Sequence, residues 1–388
     1  METQAVDTVT IPKLEVVRPT LKIAVLTHWA AISPFYECSF AVVEELTKLG
    51  HQTFILAPAI TEQNPGIVNQ RDGDGVLRFD HETTGQQLVD QLIAWGIDVL
   101  LVHSECAGDI QRLNYVVKNL QAIHKRAYLF IHSEAFDRKL EYQAYTALLY
   151  PNRTFNKYPS GGVRIAYVDQ GVPELDFPNS PQELRRGLSL PTHEAEDPKD
   201  VGYLLTTFAG KTPIEPILQA LHYINEYKLT DKPVHLFVQV GLDRDFDRYQ
   251  QLVETSDYLH VSLGYLPPET LAQLFNAADG TILLYPDIQQ RQTSSALRFA
   301  VGARAAIITN KGRHCEDIQD VVATWVTEIN PTAIKHAIVT HFSLGKLKRT
   351  NAQHFTKQAV ERIGWSVVTK QLEDLLLNRK PSGQLTGI

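Results

Sequence analysis

The residues best suited to chemistry lie in short stretches, each at the end of an apolar run. Thr293-Ser294-Ser295 opens a helical pattern running through Ala300, and it follows the buried-strand run Thr281 to Tyr285. The first N–H groups of a helix lack intrahelical partners and carry the positive end of the macrodipole, so a hydroxyl-rich helix start suits a diphosphate. The plainer role for Thr293 or Ser294 is an N-cap. Lys211, in Phe208-Ala209-Gly210-Lys211-Thr212, also follows an apolar run. Its compact ammonium either stands against phosphate oxygens or is simply solvated. Arg291 and Arg298 flank the helix start and can add positive charge, although Arg298 can equally form a structural ion pair. Two further runs end in matching triplets: His103-Ser104-Glu105 after VLLV, and His132-Ser133-Glu134 after YLFI. Histidine at such a strand end can donate to a ligand hydroxyl or bind a leaving oxygen. His28 follows LKIAVLT in the same way.

Strands and helices in alternation must hold these groups. Leu21 to Thr27 is a β-branched apolar run, followed by the helical period Phe40 to Leu49, the stop signal Gly50 and a strand at Thr53 to Leu56. The rhythm continues with a helix at Gly85 to Trp95, a strand at Val99 to Val102, a helix near Asp109 to His124 and a strand at Ala127 to Ile131. It breaks in a Pro- and acid-rich stretch after Pro173, which holds only a short helical turn at Pro181 to Gly187. Strands and helices then resume from Tyr203 to Phe208 onward, and a helical tail spans roughly 351–378. The expected class is α/β with two doubly wound lobes. Residues 1–19 form an arm, 20–178 the first lobe, 179–200 a linker, 201–350 the second lobe, and 351–388 a tail crossing back to the first.

Composition bounds the function. A chain of 388 residues that is 44% hydrophobic can fill two cores, and its net charge of −7 gives no general attraction to nucleic acid or anionic membranes. The three cysteines, Cys38, Cys106 and Cys315, are far apart and form no metal or disulfide spacing, so a reducing, cytoplasmic setting is expected. No stretch reaches the roughly 18 apolar residues of a membrane span.

Several patches, in order, carry a family resemblance. Gly162 to Phe177 (GVRIAYVDQGVPELDF) resembles a strand followed by the motif IPHGVD, with Gln170-Gly171-Val172-Pro173 in register. Ser262 to Pro286, Thr293 to Asn310 and His314 to Ile318 resemble three consecutive blocks of the same family. That family is the GT-B glycosyltransferases, in particular the retaining branch with a nucleotide-sugar site in its C-terminal domain. The resemblance implies two Rossmann-like domains facing across a cleft and transfer of a sugar from a nucleotide sugar to an acceptor. It places the diphosphate at Thr293, Ser294, Ser295, Arg291 and Lys211, and the nucleotide near Tyr265, Leu266 and Arg298. His132, at the family's sugar-contacting histidine, and Lys211 would carry catalysis. His28, His103, Glu105 and Glu134 would lie on the acceptor and sugar side. It implies no cofactor and no metal, and it leaves the acceptor, the donor and the oligomeric state open.

The sequence also departs from the family. The usual glutamate pair, eight positions apart, falls on Gln290 and Arg298, and no arginine precedes Lys211 in the expected place. The loop after the first strand, THWAAISPFYECS, has no glycine, so close approach of its backbone to a phosphate is harder. Two alternatives therefore stay open: a catalytically degenerate GT-B protein acting as a binding or scaffold subunit, and a nucleotide-sugar epimerase using Glu105 and Glu134.

Overall fold

A computed structural model describes residues 19–29, 34–61, 72–103, 109–132, 139–151, 162–177, 180–194, 201–209, 212–241, 245–264, 266–286, 294–343 and 345–379. Its first lobe contains β1 (Lys22–Leu26), α1 (Pro34–Lys48), β2 (Gln52–Pro58), β3 (Val76–Phe79), α2 (Gly85–Trp95), β4 (Val99–His103), α3 (Ile110–Ala122), β5 (Arg126–Phe130), β6 (Ala147–Tyr150) and β7 (Ile165–Tyr167). The strands form one parallel sheet in the order β3-β2-β1-β4-β5-β6-β7. Continuous apolar runs form its centre because both faces are covered: every residue of β4 is buried. Local sequence sets the helix ends. Thr84 and Gln87 cap each other's backbone at the start of α2, and Gly96 ends it with φ 67°.

A short helix α4 (Pro181–Gly187) precedes the second lobe. That lobe runs through β8 (Tyr203–Phe208), α5 (Ile214–Glu226), β9 (Val234–Val240), α6 (Phe246–Glu254), β10 (Leu259–Leu263), α7 (Pro268–Ala277), β11 (Gly280–Leu283), α8 (Ser295–Gly302), β12 (Ile307–Asn310), β13 (Val322–Val326) and α9 (Pro331–Ser343). Its parallel sheet has the order β10-β9-β8-β11-β12-β13. In each sheet the chain starts in the middle, winds outward, then reverses: between β1 and β4 in the first, between β8 and β11 in the second. Such reversals open a crevice outside the carboxyl ends of the strands, where ligands of these sheets bind.

The tail differs from the single helix that its pattern predicts. It is two helices, α10 (Gly345–Ile363) and α11 (Trp365–Leu376). The break follows from pairing with the first lobe: the Val172 amide donates to the Ile363 carbonyl at 2.9 Å, and the Trp365 amide donates to the Val172 carbonyl at 3.2 Å. The QGVP stretch is thus a seam. A Cβ on Gly171 would lie 2.2 Å from the Trp365 ring, and one on Gly302 of α8 would lie 2.5 Å from the Pro173 carbonyl, so neither position has room for a side chain. Beyond the break, α11 packs against α1 of the first lobe. One apolar cluster joins the lobes, including Ile23 and Val99 of the first, Leu297 and Ile307 of the second, and Val368 and Leu372 of α11. Residues 180–194 are held to the second lobe rather than hanging free, through the buried Arg185 and its bonds to Ala277 and Asp279.

β3, β6, β13 and α9 go beyond the sequence pattern drawn above. For α9 the signal was present, as Ile334, Ile338 and Phe342 recur every fourth residue and are buried. The strands are only four or five residues long.

Candidate functional site

In the second lobe, two segments converge on the end of β11. The arm leaving β8 is stitched there by its Thr212 hydroxyl, which accepts from the Leu284 amide at 3.2 Å. Next along, the Tyr285 amide donates to Asn310 Oδ1 at 2.8 Å, and Asn310 Nδ2 donates to the Tyr285 carbonyl at 2.9 Å. The Tyr285 hydroxyl then bonds Ser294 Oγ, at the start of α8. The first turn of α8 is therefore tied to the reversal point of the sheet beside Thr212.

The hydroxyl of Ser294 is not a phosphate ligand in this arrangement. It is 3% exposed, and it accepts from the Leu297 amide at 3.2 Å as an N-cap while bonding Tyr285. The cap interpretation thus holds for its side chain. Ser295 and Ala296 are partly exposed, and the first amides of a helix have no acceptor within it. An anion would meet those amides rather than the Ser294 hydroxyl.

Arg298, expected near the nucleotide or in a structural ion pair, also turns inward. Its side chain is 1% exposed, bonds Asp317 through Nη2 and donates to the Ser294 carbonyl at 3.4 Å. The helical register puts position 298 on the face of α8 that packs into the core, so the guanidinium finds its carboxylate inside. His314, also buried, stacks on Tyr285 at 4.0 Å between ring centres. Leu266 packs against the core from a partly exposed position. Lys211, Tyr265, Arg291 and Thr293 lie outside the described residues, as do Glu105 and Glu134.

The first lobe gathers three histidines at its own reversal point. His28 follows β1 and is partly exposed, His103 ends β4, and His132 lies two residues past β5. Here the structure corrects the placement of His103 on the cleft surface: it is 2% exposed. It ends a strand with neighbours on both sides, covered by Ser39 of α1, so its ring lies behind His132. His103 Nδ1 is 2.8 Å from His132 Nε2, and the two rings meet edge to edge, with centres 5.0 Å apart and planes within 14°. His132 remains partly exposed. Trp29 packs against the core with its ring 5.8 Å from Phe40.

Burial shifts several of these histidines. His103 is held well below its ordinary value by desolvation, then by His132 and His28. His235 and His314 are each pushed down to about 4 by desolvation. These groups are neutral in the fold, whereas the unfolded chain takes up protons below about pH 6.5. Their contribution to stability is therefore complete above that value and is lost as the pH falls toward about 4. Urea midpoints measured from pH 7 to pH 4.5 are expected to fall steeply; a flat or rising midpoint would contradict the neutral burial of these rings.

Among the described residues, no group of three His, Cys, Asp or Glu side chains is placed to hold a metal ion, and no helix is long and apolar enough to cross a membrane.

No family model matches the sequence. A search of curated proteins finds no match. Solved structures do match, at low identity and nearly full length. A glycosyltransferase from Rickettsia africae superposes with a TM-score of 0.66 at 11% identity, covering 93% of this chain and 99% of that one. The Anabaena HepE protein, in complex with UDP and glucose, gives 0.64 at 12% identity, over 92% and 100% of the two chains. The catalytic domain of starch synthase IV from Arabidopsis thaliana, bound to ADP and acarbose, gives 0.63 at 11% identity, over 93% and 99%. The chain has the GT-B fold: two Rossmann-like lobes facing across a cleft.

Proposed function

We propose that the chain is a glycosyltransferase that moves a sugar from a nucleoside-diphosphate sugar to an acceptor, without a metal and with retention of anomeric configuration. One observation carries this reading. Thr212 and the first turn of α8 meet at a single strand end, Leu284 and Tyr285, where the strand order of the second sheet reverses. The solved structures add support, since HepE holds UDP and starch synthase IV holds ADP over the same fold.

In this reading the diphosphate rests against the Ser295 and Ala296 amides with the Lys211 ammonium beside it, and Thr293 and Arg291 lie close in sequence. The base lies near Tyr265 and Leu266. The sugar is pressed toward His132 and His28 across the cleft, with Glu105 and Glu134 on the acceptor side. Charge that grows on the departing diphosphate is met by fixed amides and a cation, the form of catalysis that contributes most in such sites. That positive set stands where a metal would otherwise act, so the reading assigns none. We place the reaction in the cytoplasm, in keeping with three cysteines that lie far apart and outside any disulfide spacing.

A second reading, a degenerate scaffold, draws on Ser294 and Arg298, whose polar groups are both spent inside the protein. Titration calorimetry with UDP, ADP and GDP separates the two. The enzyme reading expects saturable binding of at least one diphosphate with a Kd of roughly 1 µM–1 mM, together with slow release of sugar from its nucleotide sugar. Absence of binding by all three would favour the scaffold.

A further inference from the structure

We propose that His103 is a positioning residue for His132, and that Thr27, Ser39 and His103 form a buried relay that couples the protonated nitrogen of His132 to the tautomer of His103. The inference rests on the reading of His132 as the sugar-side contact, but the relay itself is geometric. Thr27 Oγ1 lies 2.6 Å from Ser39 Oγ, Ser39 Oγ lies 3.2 Å from His103 Nε2, and His103 Nδ1 lies 2.8 Å from His132 Nε2. Thr27 and Ser39 are fully buried. One face of the His103 ring packs on Phe130 at 4.7 Å, while its edge meets the edge of His132, the two imidazoles lying nearly in one plane.

Proton counting restricts this chain. His103 is neutral, so one of its nitrogens is a donor and the other an acceptor. One proton occupies the contact between the two rings. If it sits on His103 Nδ1, then His132 Nε2 accepts, and a neutral His132 has its proton on Nδ1. His103 Nε2 must then accept from the Ser39 hydroxyl. If the proton instead sits on His132 Nε2, His103 carries its proton on Nε2 and donates it to Ser39, which donates to Thr27. Neutral His103 and His132 therefore share one tautomer, both Nδ1–H or both Nε2–H. An imidazole at the edge of a cleft would otherwise sample both forms and rotate. Here its proton can move only together with the His103 tautomer and the direction of the Ser39 and Thr27 hydroxyls, a coupling through a second partner of the kind that orients a functional histidine.

Two measurements test this, and the first fails separately from the proposed function. In the first, nitrogen-15 NMR on the full chain at pH 7.5 reads the tautomers of His103 and His132, with assignments from His103→Phe and His132→Ala. The two rings are expected to match, and His103→Phe, which keeps a flat ring against Phe130 but no nitrogen, is expected to leave His132 as a mixture. Opposite tautomers in the parent, or an unchanged His132 in His103→Phe, would overturn the relay whether or not the protein is an enzyme. In the second, transfer kinetics form a double-mutant cycle. His103→Phe is expected to lower kcat roughly tenfold to a hundredfold with KM little changed, as misplacement of a reacting group does. In the His132→Ala background the same change is expected to have no further effect, while His103→Gln, whose amide can both donate and accept, recovers part of the rate. Equal losses in both backgrounds would reduce His103 to a packing residue.

Discussion

Replacing Arg185 with alanine is expected to lower the unfolding free energy by about 3–5 kcal/mol, the cost typical of breaking a buried ion pair from one side. Both partners are sealed from water, with side chains 0% and 1% exposed, and Arg185 Nη2 donates to Asp279 Oδ2 at 2.8 Å. The guanidinium also donates from Nε to the Ala277 carbonyl at 2.7 Å and from Nη1 to the Pro191 carbonyl at 3.3 Å. Asp279 in turn accepts from the Leu204 amide at 2.9 Å and lies 2.7 Å from His193 Nε2. One carboxylate thus ties α4, β8 and the residue before β11 together. Its oxygens are already shared, and removal of the arginine leaves it buried without its cation. The double variant Arg185→Met with Asp279→Asn removes both charges and is expected to recover most of the loss, because the penalty lies in the stranded charge more than in the missing contact. Denaturant midpoints with fitted slopes measure this. A loss below about 1 kcal/mol for Arg185→Ala would show that water reaches the carboxylate, a surface pair being of that size.

The second large effect concerns Lys211. If its ammonium stands against the departing diphosphate, Lys211→Ala is expected to lower kcat roughly a hundredfold to a thousandfold, as removal of one preorganised donor does in other sites of developing negative charge. Affinity for the free nucleoside diphosphate should fall too, by about 1.5–3 kcal/mol, or roughly tenfold to a hundredfold. The reason is positional. Thr212, the neighbour of Lys211 in sequence, is locked to the Leu284 amide beside the sheet's reversal point. Lys211→Arg keeps the charge but not the compact head, and partial activity is expected. The melting temperature serves as the control and should hardly move. A kcat within about threefold of the parent would remove Lys211 from the mechanism.

Much of the architecture was legible because it is written locally. The capping box of Thr84 and Gln87 and the left-handed Gly96 mark both ends of α2 in sequence, and the apolar run of β8 gives a strand with the predicted bounds. What was not legible depends on partners distant along the chain. The tail breaks at Gly364 because Val172, nearly two hundred residues earlier, competes for its backbone. Arg298 reads equally as a cation for a ligand or as half of an ion pair until Asp317 is folded beside it. Ser294 offers a hydroxyl to solvent only if Tyr285 points elsewhere, and the direction of that ring is set by β11 and the stack on His314. His103 and His132 have identical local patterns, an apolar run then His-Ser-Glu. Only the register of β4 against β5 decides which ring is buried and which reaches the cleft.

The position of the diphosphate is the claim on which the functional account stands, and crystals grown or soaked with UDP or ADP test it directly. The account predicts density for two phosphates at the start of α8, with oxygens about 2.7–3.2 Å from the Ser295 amide and from Lys211 Nζ, beside the Leu284–Tyr285 strand end. Nucleotide bound elsewhere on the lobes, or a helix start that stays closed at saturating ligand, would contradict it.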